Sequence, residues 1–164
     1  MMSSREMVFQ NGPIDGVIVQ PLVRREDARG WLVELYREDQ LEPAQRPVMA
    51  YASQTLPGVA RGPHGHREQT DYFAFFGPGD FRVYLWDARP QAATFGHKMT
   101  LVAGQSNPQV VIVPPGVVHA YKNITQVPGL VLNCPSRLYA GPGKKGPVDE
   151  IRHEDRPGSP FAIE

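Results

Sequence analysis

Two stretches of this chain carry residues whose types and spacing can do chemistry. The first is Arg61-Gly62-Pro63-His64-Gly65-His66, set directly before runs of aromatic and β-branched residues. In an extended chain, residues i and i+2 share a face, so His64 and His66 can point into one cavity, with Gly62 and Gly65 leaving the backbone approachable. The second is VIVPPGVVHAYKN, where a strand-like run, a Pro-Pro-Gly turn and another strand-like run lead to His119. Imidazoles gathered in this way, with the carboxylate of Asp71 close behind His66, suit either proton transfer or the holding of a first-row transition metal.

These residues need a scaffold that joins the two stretches. The chain has 164 residues, enough for one domain that buries roughly 70% of the surface its unfolded chain exposes. One domain spanning 1–164 is expected, with a turn-rich tail from about residue 140. Gly (16) and Pro (17) recur between short apolar runs instead of forming a linker, which predicts many turns between many short strands. GVIVQPLVRRE and WLVELYRE read as a hairpin, and residues 37–47 hold at most a short helical turn. TDYFAFF and FRVYLWDAR, separated by GPGD, read as a second hairpin. With HKMTLVA, QVVIVPP, VVHAYKNI and GLVLNC the count reaches nine or ten strands. The expected class is all-β, a jelly-roll sandwich or barrel whose interior houses a ligand site. The tail, AGPGKKGPVDEIRHEDRPGSPFAIE, is expected to wrap the outside.

Lys plus Arg and Asp plus Glu both number 17. No long like-charge run marks a nucleic-acid or polybasic membrane surface, so a small molecule or a second copy of the chain is the expected partner. The single Cys134, in the apolar run LVLNC, reads as a small core residue and fits a reducing compartment. No window is apolar enough to cross a bilayer, and MMSSREMVFQ lacks the pattern of a leader, so a cytoplasmic location is expected.

RGPHGH, the following strand pair ending in WDAR and ATFG, VPPGVVHAYKN, and the earlier DARGWLVELY together resemble the dTDP-4-dehydrorhamnose 3,5-epimerase family of the cupin superfamily. The likeness runs from about Gly16 to Asp155. It implies a cupin jelly roll and a homodimer that exchanges N-terminal strands. The implied activity needs no metal or organic cofactor and acts on a nucleotide-linked 4-keto-6-deoxy sugar. The 4-keto group acidifies the C–H bonds beside it, so a base removes a proton, the oxyanion is stabilised, and an acid returns a proton.

On this resemblance His64 is the base. Arg61 and His119 face the sugar and its developing charge, and Asp87 is the acid of an Asp-x-Arg segment. Tyr139 falls on a family tyrosine and joins His64 and Asp87 in the catalytic set. Arg29 and Glu34 meet the nucleotide, often across the dimer interface, where arginine's planar fork suits phosphate. His66, Asp71 and Asn133 complete the expected substrate-binding set. The chain departs from the family at Asp71, where a lysine is usual, at Asn133, where the acid tyrosine is usual, and in a shorter C-terminal segment whose base-orienting aspartate Asp71 or Asp155 has to replace.

Two other readings stay open. The general cupin pattern is met by His64, His66, Asp71 and by Pro114, Gly116, His119, Asn123, which makes a metal-binding cupin the alternative enzyme, with Glu68 or Gln69 as further possible ligands. A non-catalytic relative that binds nucleotide sugars is the third. Within the epimerase reading, the reaction is 3,5-epimerisation, epimerisation at one centre, or 3,4-ketoisomerisation.

Overall fold

A computed structural model describes residues 7–164. The first six residues, part of the stretch read for a leader, lie outside the described residues. Thirteen strands follow in chain order: β1 (Gln10–Asn11), β2 (Ile18–Pro21), β3 (Arg24–Asp27), β4 (Gly30–Val33), β5 (Tyr51–Thr55), β6 (Ala60–Gly65), β7 (Asp71–Phe75), β8 (Asp80–Asp87), β9 (His97–Gly104), β10 (Gln109–Val113), β11 (Val117–Asn123), β12 (Gly129–Asn133) and β13 (Ile151–Arg152). One sheet runs β1-β9-β8-β11-β6-β13 and the second β2-β10-β7-β12-β5, with β3 and β4 forming a separate two-stranded ribbon. This is the all-β sandwich the turn spacing predicts. Residues 37–47 hold two single turns of 3-10 helix, Glu38–Gln40 and Pro43–Gln45.

Both sheets are covered on both faces, which explains apolar runs without strict alternation. Phe73, Phe75, Phe81, Val83, Leu85, Val111, Val113, Val117, Tyr121 and Val131 fill the space between the sheets. On the outer face of the second sheet, Tyr72, Ala74, Val110 and Ile112 pack with Cys134 under Leu41. On the outer face of the first, Tyr84, Trp86, Val118 and Ala120 pack under Phe161. Burying each large side chain contributes roughly 1.5–3 kcal/mol, so the three layers share the task of stabilising the domain. Cys134 is buried, as its apolar context predicts.

The first expected hairpin forms only in part: β3 and β4 make the ribbon, pairing Arg24 with Val33 and Asp27 with Gly30, while the first half of the expected strand, β2, pairs with β10 instead. The second expected hairpin does not form. β7 pairs with β10 and β12, whereas β8 pairs with β9 and β11, so GPGD carries the chain from one sheet to the other. Gly77 and Gly79 have φ of 99° and 85°, and a Cβ on Gly79 would lie 2.8 Å from the Gly129 Cα. That positive-φ pair redirects the strand out of its sheet. Turn chemistry marks the break in the strand but not which partner each side finds.

The tail does more than wrap the outside. β13 pairs with β6, Ile151 opposite Gly65 and Arg152 opposite His64, and the Glu164 carbonyl accepts a hydrogen bond from the Tyr84 hydroxyl at 2.6 Å. At the other end, β2 closes on β10 of its own chain. Among the described residues no helix is long and apolar enough to cross a membrane.

Candidate active site

The period of two along the strands places the chemistry. On β7, Phe73 and Phe75 face the space between the sheets, so Asp71 faces it too. On β11, Val117 and Tyr121 face inward, and His119 lies between them with its ring 5.3 Å from that of Phe73. His119 pairs with His64 on β6, and their ring centroids are 4.5 Å apart. A bulge falls just beyond this pair. Gly62 makes it possible: its φ is 85°, and a Cβ there would lie 2.6 Å from the His119 carbonyl oxygen. The Gly116 N–H donates to the His66 carbonyl at 2.8 Å and ties the two sequence stretches together. Asn123, part of the cupin-like pattern, is remote from this chemistry; it bonds Thr55, Thr125 and Val127 at the far end of β11.

Asp71 is the hub. Its side chain is 1% exposed. Oδ1 accepts from Gln69 Nε2 at 2.8 Å and from Asn133 Nδ2 at 2.9 Å. Oδ2 lies 3.0 Å from His66 Nε2 and 3.1 Å from His119 Nε2. Neither imidazole contact has the alignment of a hydrogen bond, and Asp71 Oδ2 and His119 Nε2 are both buried without a hydrogen-bond partner among the described residues. Burial pushes the Asp71 carboxyl up, but the nearness of His119 and His66 outweighs it and holds the group well below the usual carboxylate range. For His66, burial works downward and Asp71 upward, with a net rise. His64 goes the other way: burial, helped by His119, depresses it to about 3, against the pull of Asp71.

These groups border an open cavity of about 1200 Å³, a size that admits a nucleotide-linked sugar. His64, His66 and Gln69 line it, as do Tyr51 and Ser53 of β5, Arg61 of β6 and Tyr121 of β11. Arg61 is held by its own neighbours, donating from Nε to Thr55 Oγ1 at 2.9 Å and from Nη2 to the Gln54 carbonyl at 2.6 Å. A guanidinium has five N–H groups, so donors remain for a ligand. The Tyr121 hydroxyl pairs with Ser53 Oγ at 3.1 Å, and the Tyr51 hydroxyl accepts from Asn133 Nδ2 at 2.9 Å. Burial raises Tyr51 to about 12, with the Asn133 bond opposing.

The expected site residues divide by place. His64, His66, Arg61 and Tyr139 line the cavity, Tyr139 being 58% exposed on the C-terminal segment. Asp71, His119 and Asn133 do not line it but sit buried beside it. Asn133 spends its amide on Asp71, Tyr51 and the Tyr72 N–H, so it is a brace and not a substrate contact. Asp87 is corrected as well. It is fully buried away from the cavity, accepting from Arg89 at 2.8 Å through both Nε and Nη2 and from Thr94 Oγ1 at 2.6 Å. With its oxygens committed it anchors the loop after β8 and returns no proton. Arg29 and Glu34 lie on and just after the β3–β4 ribbon, outside their own chain's cavity. Arg29 pairs with Asp27 at 2.6 Å and Glu34 borders a separate cleft of about 220 Å³.

The tail supplies a residue that the sequence does not reveal. Asp149 accepts from the N–H groups of Arg67, Glu68 and Gln69, each at 2.9 Å, and its carbonyl takes the hydrogen of His66 Nδ1. Neither Asp71 nor Asp155 pairs with His64; among the described residues the His64 ring makes no hydrogen bond. Asp149 carries no sequence signal of its own, since its partners are backbone groups about eighty positions away.

The family model of dTDP-4-dehydrorhamnose 3,5-epimerase matches residues 11–147. The probable low-salt glycan biosynthesis epimerase Agl13 of Haloferax volcanii is 39% identical over 127 residues, covering 77% of this chain and 81% of that one. Among solved structures, a dTDP sugar isomerase from Desulfovibrio desulfuricans superposes with a TM-score of 0.77 at 24% identity, covering 91% of each chain. The epimerase RmlC of Legionella pneumophila, in complex with dTDP-4-keto-L-rhamnose, gives 0.72 at 20% identity, covering 92% of this chain and 79% of that one. The structural likenesses establish the jelly-roll fold. The family model and the glycan epimerase go further: this chain belongs to the dTDP-4-dehydrorhamnose 3,5-epimerase family and is a sugar epimerase, an isomerase, of that family.

Proposed function

We propose that this enzyme removes a proton beside the 4-keto group of a nucleotide-linked 4-keto-6-deoxy sugar, with His64 as the base. The observation that carries this reading is the His64 ring, which lines the cavity, makes no hydrogen bond among the described residues and is kept uncharged by burial. An imidazole with a free lone pair facing a ligand cavity is a base in waiting. As the C–H bond breaks, its electron pair moves onto the keto oxygen, and the spare N–H groups of Arg61 meet the charge that develops there. Tyr139, which lines the cavity from the C-terminal segment, returns the proton in place of the tyrosine the family carries where Asn133 stands. Arg67 and Lys144 also line the cavity and are the cations available to the diphosphate, Arg152 being paired with Glu150 at 2.9 Å.

The partner is a nucleotide sugar, and the working unit is a homodimer. The β3–β4 ribbon supports this, because it presents Arg29 and Glu34 where the chain's own cavity cannot use them. A cytoplasmic setting agrees with the single buried thiol.

Incubation with dTDP-4-keto-6-deoxyglucose in deuterated water tests the reaction. Deuterium is expected at C3, at C5 or at both, and which carbon exchanges separates one-centre from two-centre epimerisation. No exchange from any 4-keto sugar nucleotide at high enzyme concentration overturns the reading and leaves a binding protein.

A further inference from the structure

Backbone carbonyls orient both imidazoles beside Asp71. A carbonyl oxygen only accepts. His66 Nδ1 meets the Asp149 carbonyl and His119 Nδ1 meets the Val117 carbonyl at 3.1 Å, so both Nδ1 atoms carry hydrogen. In its neutral form, the form that binds a metal, each imidazole then keeps a lone pair on Nε2. Gln69 agrees: its amide nitrogen, a donor, lies 3.3 Å from His66 Nε2 and treats it as an acceptor. Both lone pairs then face Asp71 Oδ2, itself an acceptor, at 3.0 and 3.1 Å. Asp71 Oδ2 and His119 Nε2 are then buried side by side with no hydrogen-bond partner among the described residues.

One extra proton relieves one of these contacts and leaves the other. Two extra protons put two imidazolium rings of like charge side by side, 5.9 Å between centroids, at a site where Asp71 and His119 are 1% and 2% exposed. A single divalent cation relieves both contacts, because each lone pair becomes a ligand. The surroundings are built for this. Gln69 and Asn133 both donate to Oδ1 and so aim Oδ2 inward, while two backbone carbonyls fix both imidazole tautomers, the kind of outer support that orients metal ligands. Donor atoms of His64, His66, Asp71 and His119 all lie within 4.8 Å of one another.

We infer that His66 Nε2, His119 Nε2 and Asp71 Oδ2 form a binding site for a divalent first-row transition metal ion, with the cavity-facing position open to His64 or to a ligand. The site goes beyond the proposed reaction and does not rest on it, since neither its donors nor its supports depend on what the cavity binds.

The protein is stripped with a chelator and titrated with Zn²⁺ and Co²⁺ by calorimetry and absorption. About one ion per chain is expected, with visible Co²⁺ bands and a raised melting temperature, since an ion that binds only the folded state stabilises it. In Asp71→Asn affinity falls about a hundredfold or more. Because that variant can fail to fold, nitrogen chemical shifts of the native protein before and after loading with Zn²⁺ provide a second reading: the Nε2 signals of His66 and His119 are expected to move while each Nδ1 keeps its hydrogen. Nε2 signals that do not move, or less than about a tenth of an ion per chain after reconstitution, overturn the inference. Deuterium exchange by the stripped protein is scored separately, so either claim can fail without the other.

Discussion

At the scale of single residues, the three histidines carry one chemical type into two environments. His66 and His119 are held through Nδ1 by backbone carbonyls with Nε2 turned to Asp71, whereas His64 faces the cavity without a partner among the described residues. His64→Gln keeps a comparable volume and amide polarity but removes the base. Exchange of the sugar's proton should fall about a thousandfold, within the range of general-base loss, while circular dichroism and melting stay near the parent's. A fall of less than tenfold assigns the base elsewhere. Asn133 should behave in the opposite way. Its amide closes bonds to Asp71, Tyr51 and Tyr72 inside the core, and Asn133→Ala leaves those groups buried and unsatisfied. The expected cost in a denaturant titration is about 2–3 kcal/mol. A loss below about half a kcal/mol means water replaces the amide and the brace is dispensable.

At the scale of elements, what is legible in the sequence follows the period of two, and what is not depends on pairing across the chain. The alternation in RGPHGH and VVHAYKN assigns His64 and His119 to inward faces, and the paired strands β6 and β11 bring them together. GPGD marks a break between β7 and β8, but whether such a break closes a hairpin or crosses between sheets depends on distant partners, here β10 and β12 for one strand and β9 and β11 for the other. Asp87 shows the same limit. Its Asp-x-Arg spacing is equally suited to a proton donor facing a ligand and to a carboxylate closed by its own arginine, and the inward turn of the β8 end selects the second. Burial works to raise the Asp87 carboxyl, yet the bonds from Arg89 and Thr94 lower it overall. A folded-state value below the unfolded one means that its stabilisation is fully present above the unfolded carboxylate's pKa and is lost as pH falls through the folded value. Unfolding free energy should therefore drop on the acid side, and Asp87→Asn should flatten that limb while lowering stability at neutral pH. An unchanged acid limb removes Asp87 from the stability account.

At the scale of the whole molecule, one surface stands apart from the scaffold that holds the site. The β3–β4 ribbon belongs to neither large sheet, yet it exposes Trp31 at 50% and Leu32 at 63%. Trp31 is braced from its own side by Arg24, 4.6 Å from the ring, and by Phe76, 6.3 Å away, so the ring is held in place with half of its surface left to water. Aromatic side chains fixed in this way are the usual anchors of protein interfaces. Arg29 and Glu34 share the ribbon and its exit, and neither lines the large cavity of its own chain. A symmetric dimer in which each ribbon crosses to the partner resolves both facts, covering the apolar ring and carrying the charged pair toward the partner's cavity. Light scattering should then give twice the 18.2 kDa of the chain. Trp31→Asp, which leaves every cavity residue in place, should shift the protein toward the monomer, and Arg29→Ala should preserve the dimer but weaken nucleotide binding several-fold. A parent protein that runs as a monomer at every accessible concentration, with Arg29→Ala binding nucleotide as the parent does, rejects the ribbon as an interface.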